Sequence, residues 1–456
     1  MKKFDAIIIG SGQAGTPLAF KLAAEGNKVA FIEKKHFGGT CVNDGCTPTK
    51  AYVASARRIW DACNGAALGV NIPEGASADL KKIKSRKDKI VQESVDGISS
   101  GVEKEENITF FEGEARFSGE KTIEVNSEEI TASEIYINTG ARPVIPEPFR
   151  KLNYLTNESI LQLEELPEHL VIVGGSYIGL EFGQMFRRFG SKVTIIEKGP
   201  SIIGREDKEI SENIQEFLQD EGIEFRLNAK CIGGTQNADN SVTLKLDCKE
   251  GGPEVTGSHL LIGVGRKPNT DSLNLQAAGI KIGDRGYIKV NDFLETNVKG
   301  VFALGDCNGE GAFTHTSYND YEIIVANKFS NINRRISDRV MTYNLYTDPP
   351  LGRAGMTRKA ALAKGYKIME ATMPMSRVAR AREKGETNGM MQVIVNAENQ
   401  KILGASILGV GGDEIINSIL LIMYADVPYT VLKNAVISHP TVSELLPTLL
   451  KGLKEI

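Results

Sequence analysis

Two of the chain's six cysteines stand five residues apart in the segment GGTCVNDGCTPTK, residues 38–50. Thiols so close together can form a disulfide, bind a soft metal ion or attack an electrophile. In a regular α-helix, Cα atoms five residues apart are separated by about 8.6 Å, whereas a disulfide needs about 7 Å or less. Cys41 and Cys46 can therefore be joined only if the backbone between them is distorted, and we expect Gly45 to give it that freedom.

Three interpretations of this cysteine pair are open. A structural disulfide is disfavoured in the cytoplasm, where thiols are kept reduced. A zinc site needs four ligands at short paired spacings, and the five histidines and the other cysteines show no such pairing. A strained, partly exposed disulfide is easily reduced, which suits a catalytic redox role.

Composition narrows the class of protein. The 456 residues suffice for about three domains, and 41% hydrophobic with 25% charged residues is ordinary for a soluble globular protein. A net charge of −4 argues against a nucleic-acid partner, and the basic run at residues 81–89 is typical of a solvated helix face. The N-terminal apolar run ends after Ile9, too early for a secretory signal, and no long apolar run predicts a membrane span. We therefore expect a cytoplasmic protein.

A repeated segment supplies the elements that must position the cysteines. Residues 6–34 align without a gap with residues 170–198, so that Gly10, Gly15 and Gly26 match Gly174, Gly179 and Gly190. Each copy predicts a buried strand, a glycine turn, a helix, and a second strand that ends in an acid. This order is the dinucleotide-binding fingerprint in its required context.

The residue types within each copy fit a bound dinucleotide. The first glycine makes the tight turn, the second lets the backbone approach the pyrophosphate, and the third lets helix and strand pack closely. In the second copy Ser176 stands where the close-approach glycine, Gly12 in the first copy, would be. Glu33 and Glu197 stand where a carboxylate binds a ribose hydroxyl. The two copies predict two dinucleotides, such as FAD and NADH, with NADH favoured over NADPH because Glu197 would repel a 2′-phosphate.

The cysteine segment resembles the active-site signature of the class I pyridine nucleotide-disulfide oxidoreductases. The likeness covers essentially the whole chain, and four further motifs follow in the family's order. They are INTGARP (residues 137–143), GVGRKPNT (263–270), VFALGDCNG (301–309) and SHPTVSELLP (438–447).

The resemblance implies an α/β fold with two Rossmann-like dinucleotide-binding domains and a C-terminal α+β dimerisation domain. The expected limits are residues 1–148 and 266–335 for the FAD domain, 149–265 for the NAD domain and 336–456 for the dimerisation domain. It also implies FAD and a nicotinamide nucleotide as cofactors. The partner is a second copy of the chain, in a homodimer with a shared active site.

The resemblance also implies roles at the cysteines. Cys46 is expected to face the flavin as a thiolate, and Cys41 to exchange with the substrate. The disulfide between them would be redox-active. Lys50 and Glu181 match the family's ion pair near the flavin.

Near the C-terminus, His439 matches the family's acid–base group for the thiols, which reaches the active site from the other subunit. Glu444 is expected to orient this histidine. Thiol exchange needs both removal and return of a proton, and histidine can serve both steps near neutral pH. The cofactor-binding positions implied by the motifs and the repeat are Gly10, Gly12, Gly15, Glu33, Gly39, Thr40, Thr139, Gly140 and Asp306 for FAD; Gly174, Ser176, Tyr177 (a gate for the nicotinamide), Gly179 and Glu197 for NADH; and Gly265 where the chain returns from the NAD domain.

The substrate is the least determined point. Residues 311–323, 346–357 and 380–395 look most like the mercuric reductase-like branch, which points to a thiophilic metal ion, Hg(II) or Cu(II). The chain has no cysteine after Cys307, whereas mercuric reductases carry a C-terminal cysteine pair that hands over the metal. A small disulfide, dihydrolipoyl dehydrogenase activity and a non-enzymatic flavoprotein redox sensor are the alternatives.

Overall fold

The computed structural model describes residues 1–71, 75–248, 251–330 and 332–456. The chain forms two compact units. Unit 1 contains residues 1–51, 84–144 and 265–339, and unit 2 contains residues 52–83, 145–264 and 340–456.

Helices are predicted within the two copies of the repeat and at the basic run 81–89, and the structure has a helix at each of these three places. Within the described ranges the α-helices are α1 (Gly15–Ala24), α2 (Gly39–Asn43), α3 (Cys46–Asn64), α4 (Leu80–Lys104), α5 (Tyr177–Phe189), α6 (Lys208–Asp220), α7 (Thr314–Phe329), α8 (Arg358–Ala363), α9 (Ala379–Glu383), α10 (Gly412–Tyr424), α11 (Thr430–Lys433) and α12 (Leu446–Lys451).

The strands are mostly short apolar runs. In the same ranges they are β1 (Lys2–Ile9), β2 (Val29–Glu33), β3 (Ile108–Glu112), β4 (Ala115–Gly119), β5 (Thr122–Val125), β6 (Glu128–Ile137), β7 (Ala141–Pro143), β8 (Tyr154–Leu155), β9 (His169–Val173), β10 (Lys192–Ile196), β11 (Glu224–Arg226), β12 (Lys230–Gln236), β13 (Val242–Asp247), β14 (Glu254–Gly257), β15 (His259–Ile262), β16 (Arg266–Pro268), β17 (Val301–Ala303), β18 (Thr342–Leu345), β19 (Leu351–Gly355), β20 (Ile368–Pro374), β21 (Met390–Asn396), β22 (Ile402–Leu408) and β23 (Lys454–Glu455).

Unit 1 is built on a parallel sheet with an antiparallel extension. Its strand order is β3-β2-β1-β6-β5-β4, and β17 pairs with the end of β6. Residues 6–9 of β1 are buried, as expected for a central parallel strand whose two faces are both covered. The carboxyl ends of β1, β2, β6 and β17 therefore share one edge of the sheet.

Unit 2 contains the second copy of the repeat. Its five-stranded sheet, β11-β10-β9-β15-β8, is parallel throughout. An antiparallel sheet β12-β13-β14 follows this repeat, and the C-terminal residues form a six-stranded antiparallel sheet, β18-β19-β22-β21-β20-β23.

The predicted fold class is confirmed: two doubly wound nucleotide-binding sheets and a C-terminal α+β region are present. The repeat is confirmed in register as well, because Ala6 pairs with Val29 in the first copy and Leu170 with Val193 in the second. In the part of the chain that the structure describes, no helix combines the length and apolar character needed to cross a membrane. The four-segment domain limits stay a prediction.

Candidate active site

The first glycine turn joins β1 to α1 and is fastened to β6. Gly10 has φ +100°, and a Cβ there would lie 2.3 Å from the carbonyl oxygen of Asn138, so glycine is required. A Cβ on Gly15 would lie 2.1 Å from the Gly10 oxygen, and one on Gly12 2.7 Å from Asn138 Oδ1. Asn138, which sequence reasoning missed, accepts from the Gly15 N–H at 2.9 Å and donates to the Leu304 oxygen at 2.8 Å.

The second glycine turn repeats this geometry between β9 and α5. Gly174 has φ +114°, and its Cβ would lie 2.5 Å from the Gly263 oxygen; a Cβ on Gly179 would lie 2.0 Å from the Gly174 oxygen. Ser176 is the exposed N-cap of α5 with extended backbone, φ −115° and ψ −168°, and its side chain makes no capping hydrogen bond. Because this conformation suits any residue, serine is accommodated without backbone strain.

The two predicted acids hold corresponding positions at the strand ends. Glu33 Oε2 accepts hydrogen bonds from the Ser11 N–H at 2.9 Å and the Ser11 hydroxyl at 2.8 Å. Glu197 accepts from the Gly175 N–H through Oε2 and from the Gly199 N–H through Oε1, both at 2.8 Å. Each carboxylate therefore lies against its own glycine turn, where a nucleotide ribose is expected.

The cysteine segment begins against the first turn. Gly39 has φ +59°, and a Cβ there would lie 3.0 Å from Gly12 Cα. Thr40, the next residue of α2, accepts from the Asp44 N–H at 2.9 Å. The predicted positions Gly39 and Thr40 are thus brought beside the nucleotide turn by close backbone packing.

The remaining expected FAD positions lie at the carboxyl edge of the unit 1 sheet. Thr139 and Gly140 directly follow β6, and their carbonyl oxygens accept from Asn269 Nδ2 at 2.9 Å and from the Asn269 N–H at 3.0 Å. Gly265 precedes β16, and its carbonyl oxygen accepts from the Val144 N–H at 3.0 Å.

Asp306 lies on a 3₁₀ turn, Gly305–Cys307, directly after β17. Burial raises the pKa of its carboxyl above the ordinary value, and the Arg266 guanidinium, with Nε 3.8 Å away, opposes that rise. A half-buried carboxyl at this sheet edge is suited to accept a hydrogen bond from a bound hydroxyl.

The backbone between the cysteines is broken, as predicted. Helix α2 ends at Asn43, Asp44 leaves helical geometry with φ −136°, and α3 begins at Cys46. Gly45 contributes space rather than an unusual φ: a Cβ there would lie 2.7 Å from the Thr40 oxygen and 3.2 Å from Cys41 Cα. Because of this break, Cys41 in α2 and Cys46 at the start of α3 can both contact the same side chain.

Both sulfurs contact one hydroxyl. Cys41 is half-buried and Cys46 is exposed. Thr314 Oγ1, at the start of α7, lies 3.1 Å from each sulfur. The two sulfurs are therefore at most about 6.2 Å apart, twice that distance. Thr314 was not predicted, since nothing in its local sequence links it to cysteines some 270 residues earlier.

Electrostatics separate the two thiols. The pKa of the Cys41 thiol lies far above its usual range, first because of its hydrogen bond with Cys46, then because of burial and the Cys46 charge; the Thr314 hydroxyl opposes the rise. Cys46 is the first residue of α3, where a helix N-terminus favours a thiolate. The reduced pair therefore carries its first negative charge on Cys46, while Cys41 keeps its proton.

Three further predicted residues are positioned by the two long helices α3 and α5. Lys50 lies in α3, one turn after Cys46. Glu181 is buried in α5, and its Oε1 accepts from the Tyr346 N–H at 2.8 Å. Tyr177 is the first residue of α5, and its ring meets that of Tyr343 edge-on, with centroids 5.3 Å apart. The Lys50–Glu181 ion pair stays a prediction.

The predicted histidine–glutamate pair forms. His439 Nδ1 lies 2.8 Å from Glu444 Oε2, and the histidine side chain is 77% exposed whereas that of Glu444 is 15% exposed. The His439–Pro440 peptide bond is cis. Because Glu444 occupies Nδ1, Nε2 is the ring nitrogen that faces outward and can exchange a proton.

The residues of both turns fit dinucleotides. In each unit, glycines occupy the positions where a side chain would collide with the backbone. A helix of at least ten residues begins at the turn, so its N-terminus faces the turn. A carboxylate lies at the end of the adjacent strand. These three features are what a pyrophosphate and its ribose need.

Two nucleotide turns and a dithiol beside the first of them define a nucleotide-dependent redox enzyme that works through thiols. Residues 4–321 match the family model described as pyridine nucleotide-disulphide oxidoreductase, and residues 341–450 match the dimerisation domain of that family. The chain belongs to the pyridine nucleotide-disulfide oxidoreductases, so it is a flavin-dependent enzyme that uses a pyridine nucleotide. The resemblance drawn from its motifs is confirmed.

Several curated relatives are similar over most of their length. The chain is 35% identical over 465 aligned residues to the probable pyridine nucleotide-disulfide oxidoreductase RclA of Escherichia coli K12, covering 100% of each chain. It is 33% identical to a mercuric reductase of Staphylococcus aureus (91% of this chain, 76% of the relative) and 32% identical to a dihydrolipoyl dehydrogenase of Thermus scotoductus (97% and 96%).

Solved structures give the same picture. The Cu(II) complex of the HOCl-induced flavoprotein disulfide reductase RclA from Escherichia coli matches with a TM-score of 0.89, 34% identity and 99% coverage of each chain. A second structure of that reductase matches with a TM-score of 0.88, covering 98% of this chain and 99% of the other.

Proposed function

We propose that this enzyme is an FAD- and NADH-dependent reductase that passes electrons through a Cys41–Cys46 disulfide to a thiophilic metal ion or a small disulfide. The observation that carries the proposal is the pair of cysteine sulfurs, each held 3.1 Å from one hydroxyl, beside the first nucleotide turn. The alternatives of a structural disulfide and of a zinc site offer no reason for a shared hydroxyl at two thiols.

The cofactor assignment follows from the two turns. We assign FAD to the residues around Gly10 and Asp306 in unit 1, and NADH to those around Gly174 in unit 2. Glu197 supports NADH, because a carboxylate accepts from ribose hydroxyls and repels a 2′-phosphate. Extraction of the bound flavin and the ratio of kcat/KM for NADH and NADPH test both assignments.

The thiols divide the chemistry between them. The residues around Gly10 and Asp306 would hold the flavin, which would supply the two electrons, drawn from the pyridine nucleotide, that reduce the Cys41–Cys46 disulfide. Cys46 then keeps the negative charge and Cys41 a proton. With a disulfide substrate, the Cys41 thiolate attacks one substrate sulfur and releases the other as a thiol; Cys46 next attacks Cys41, reforming the protein disulfide and releasing the second thiol.

Proton transfer in this scheme needs an acid–base group. The partner subunit's His439, oriented by Glu444, would take the Cys41 proton and return it to the leaving thiolate. The exposure of His439 and the presence of a dimerisation domain support a homodimer with a shared site. Lys50 and Glu181 keep the role beside the flavin that the family resemblance implies.

A thiophilic metal ion is the favoured substrate class. Two thiolates close together are soft ligands that suit Hg(II) and the Cu(I) formed when Cu(II) is reduced. Oxidation of the pair to the disulfide releases two electrons, enough to reduce two Cu(II) to Cu(I) or one Hg(II) to the metal. Similarity to a reductase solved as a Cu(II) complex favours copper.

Dihydrolipoyl dehydrogenase is the second candidate. The His439–Glu444 pair favours true thiol–disulfide chemistry, and a dihydrolipoyl dehydrogenase is among the relatives that the chain matches over nearly its full length. Reduction of NAD by dihydrolipoamide would identify this activity.

Two further assignments complete the proposal. We place the FAD domain at residues 1–148 and 266–335, the NAD domain at 149–265 and the dimerisation domain at 336–456. We also propose a cytoplasmic location, where thiols are kept reduced and a disulfide that cycles through its thiol form can work.

The test is an anaerobic NADH titration of the purified holoenzyme, followed by visible absorbance. A long-wavelength band that is absent in Cys46→Ser supports a thiolate beside the flavin. Lipoamide, oxidised glutathione, Cu(II) or Hg(II) is then added to the reduced enzyme, and reoxidation names the substrate class. Bleaching of the flavin without such a band would disprove the coupling to the thiols.

A further inference from the structure

The Thr314 hydroxyl is placed to act on the charge of the dithiol. In the structure it donates to Cys41 Sγ at 3.1 Å, and it lies 3.1 Å from Cys46 Sγ, where either atom can be the donor. A hydroxyl carries one proton, so it donates to one sulfur at a time and can accept from the other. A thiolate is the stronger acceptor, and hydrogen bonds to charged groups are the strong ones.

The backbone around this hydroxyl is fixed on both sides. Thr314 is the first residue of the 16-residue helix α7, and Phe313 is its N-cap. The Phe313 N–H donates to Thr316 Oγ1 at 3.2 Å, and the Thr316 N–H donates to the Phe313 oxygen at 3.1 Å. The rings of Phe313 and His315 stack with centroids 5.5 Å apart. These contacts hold the backbone of Thr314, and the hydroxyl proton can turn about the Cβ–Oγ1 bond toward either sulfur.

We propose that Thr314 is a positioning residue whose hydroxyl donates to Cys46 in the reduced enzyme and thereby holds the negative charge on that sulfur, away from Cys41. This inference rests on the proposed redox role of the pair and adds the group that decides which sulfur is the thiolate. Two other features favour the same sulfur: Cys46 begins α3, and α7 directs its own N-terminus at the pair through Thr314.

The direction of the Thr314 hydrogen bond determines which sulfur is the thiolate and which remains a thiol. While the Thr314 hydroxyl donates its hydrogen bond to the Cys46 thiolate, Cys41 remains a protonated thiol. Cys41 can attack the substrate only after an acid–base group has removed its proton. When Cys46 attacks Cys41 and the disulfide reforms, the charge leaves Cys46 and the hydroxyl proton is free to turn to either sulfur. No atom is gained or lost at Thr314.

The experiment compares Thr314→Val, which has nearly the same shape without a hydroxyl, with Thr314→Ser, which keeps the hydroxyl. Each holoenzyme is reduced with one equivalent of NADH under anaerobic conditions, and the long-wavelength thiolate absorbance is titrated against pH. Thr314→Val should move the midpoint up by about one to two pH units, and Thr314→Ser should stay within about half a unit of wild type. Thr314→Ala provides a second hydroxyl-free variant.

A second readout separates this inference from the proposed function. The chemically reduced proteins are alkylated with iodoacetamide as a function of pH, and mass spectrometry gives the rate at each cysteine. Loss of the hydroxyl should shift reaction from Cys46 toward Cys41 at neutral pH. Unchanged midpoints and unchanged cysteine selectivity in both hydroxyl-free variants would overturn the role of Thr314. A wild-type enzyme without the absorbance band would instead refute the flavin coupling, while the alkylation result still decides the role of Thr314.

Discussion

Glu206 should make the stability of the enzyme fall as the pH rises from about 4.5 to about 7. Its carboxyl is buried, and burial, helped by nearby Asp207, raises its pKa from 4.5 to about 7. The Tyr343 hydroxyl donates to Oε1. Arg353 Nε lies 3.9 Å from Oε2, and Glu206 Oε2 has no hydrogen-bond partner, so the attraction of this buried pair does not offset the cost of burial.

The magnitude follows from linkage. Because the folded state holds this proton more tightly than the unfolded chain, stability is highest below about pH 4.5 and falls until the pH exceeds about 7. A rise of about 2.5 pKa units corresponds to about 3 kcal/mol in full, of which about 2.5 kcal/mol is lost between about pH 5 and about pH 8. For a chain of 456 residues this loss lowers Tm by about 2–3 °C.

The assay is thermal unfolding of the holoenzyme at half-unit pH steps across this range. Glu206→Gln removes the titrating group, so its Tm should fall by about 2–3 °C less than that of the wild type. Glu216→Gln, at an exposed glutamate of α6 in the same unit, is the matched control and should follow the wild-type curve. Parallel curves for wild type and Glu206→Gln would refute the argument that this carboxyl is protonated in the folded enzyme at pH 5–7.

Three other predictions concern the cofactor and the thiols. Gly179→Ala places a Cβ 2.0 Å from a carbonyl oxygen of the turn, so the KM for NADH should rise at least about tenfold with flavin content unchanged; Gly97→Ala, which meets nothing within 4 Å, should leave KM unaltered. Glu197→Gln should raise kcat/KM for NADPH relative to NADH by about tenfold, because it removes the charge that repels a 2′-phosphate; an unchanged ratio would contradict the assignment. Glu444→Gln should slow disulfide turnover about tenfold, through loss of the charge beside His439, while reduction by NADH in a stopped-flow experiment keeps its rate. Equal slowing of both half-reactions would argue against that role.

The features predicted correctly from the sequence are those that depend on local sequence patterns. The paired glycine turns and their acids were predicted from a repeat of about 30 residues, since strand, turn and helix periodicity are local properties. The distorted backbone between Cys41 and Cys46 followed from helix geometry alone. The actual cause, close approach at Gly45 rather than a special φ, depends on the three-dimensional position of Thr40.

Residues that act through long-range contacts were missed. Thr314 meets the cysteines only because the unit 1 sheet brings its segment back beside α2 and α3. The only signal was its place in residues 311–323, a stretch picked out by resemblance without a role for any side chain. The buried Glu206–Arg353 pair was missed for another reason: ionised residues are normally exposed, so no sequence pattern predicts that both are buried.

The order in which unit 1 is assembled has a consequence for synthesis in the cell. Its strand β17, beginning at Val301, pairs with β6, which ends at Ile137. At about 5–20 residues per second, a ribosome takes roughly 15–60 s to reach that strand. Until then the nascent chain presents an incomplete sheet with an unpaired edge, a known aggregation hazard. We therefore expect fragments that end before residue 301 to need chaperones or to precipitate, and we expect folding of the full chain to be slow because its sheet contacts are so distant in sequence.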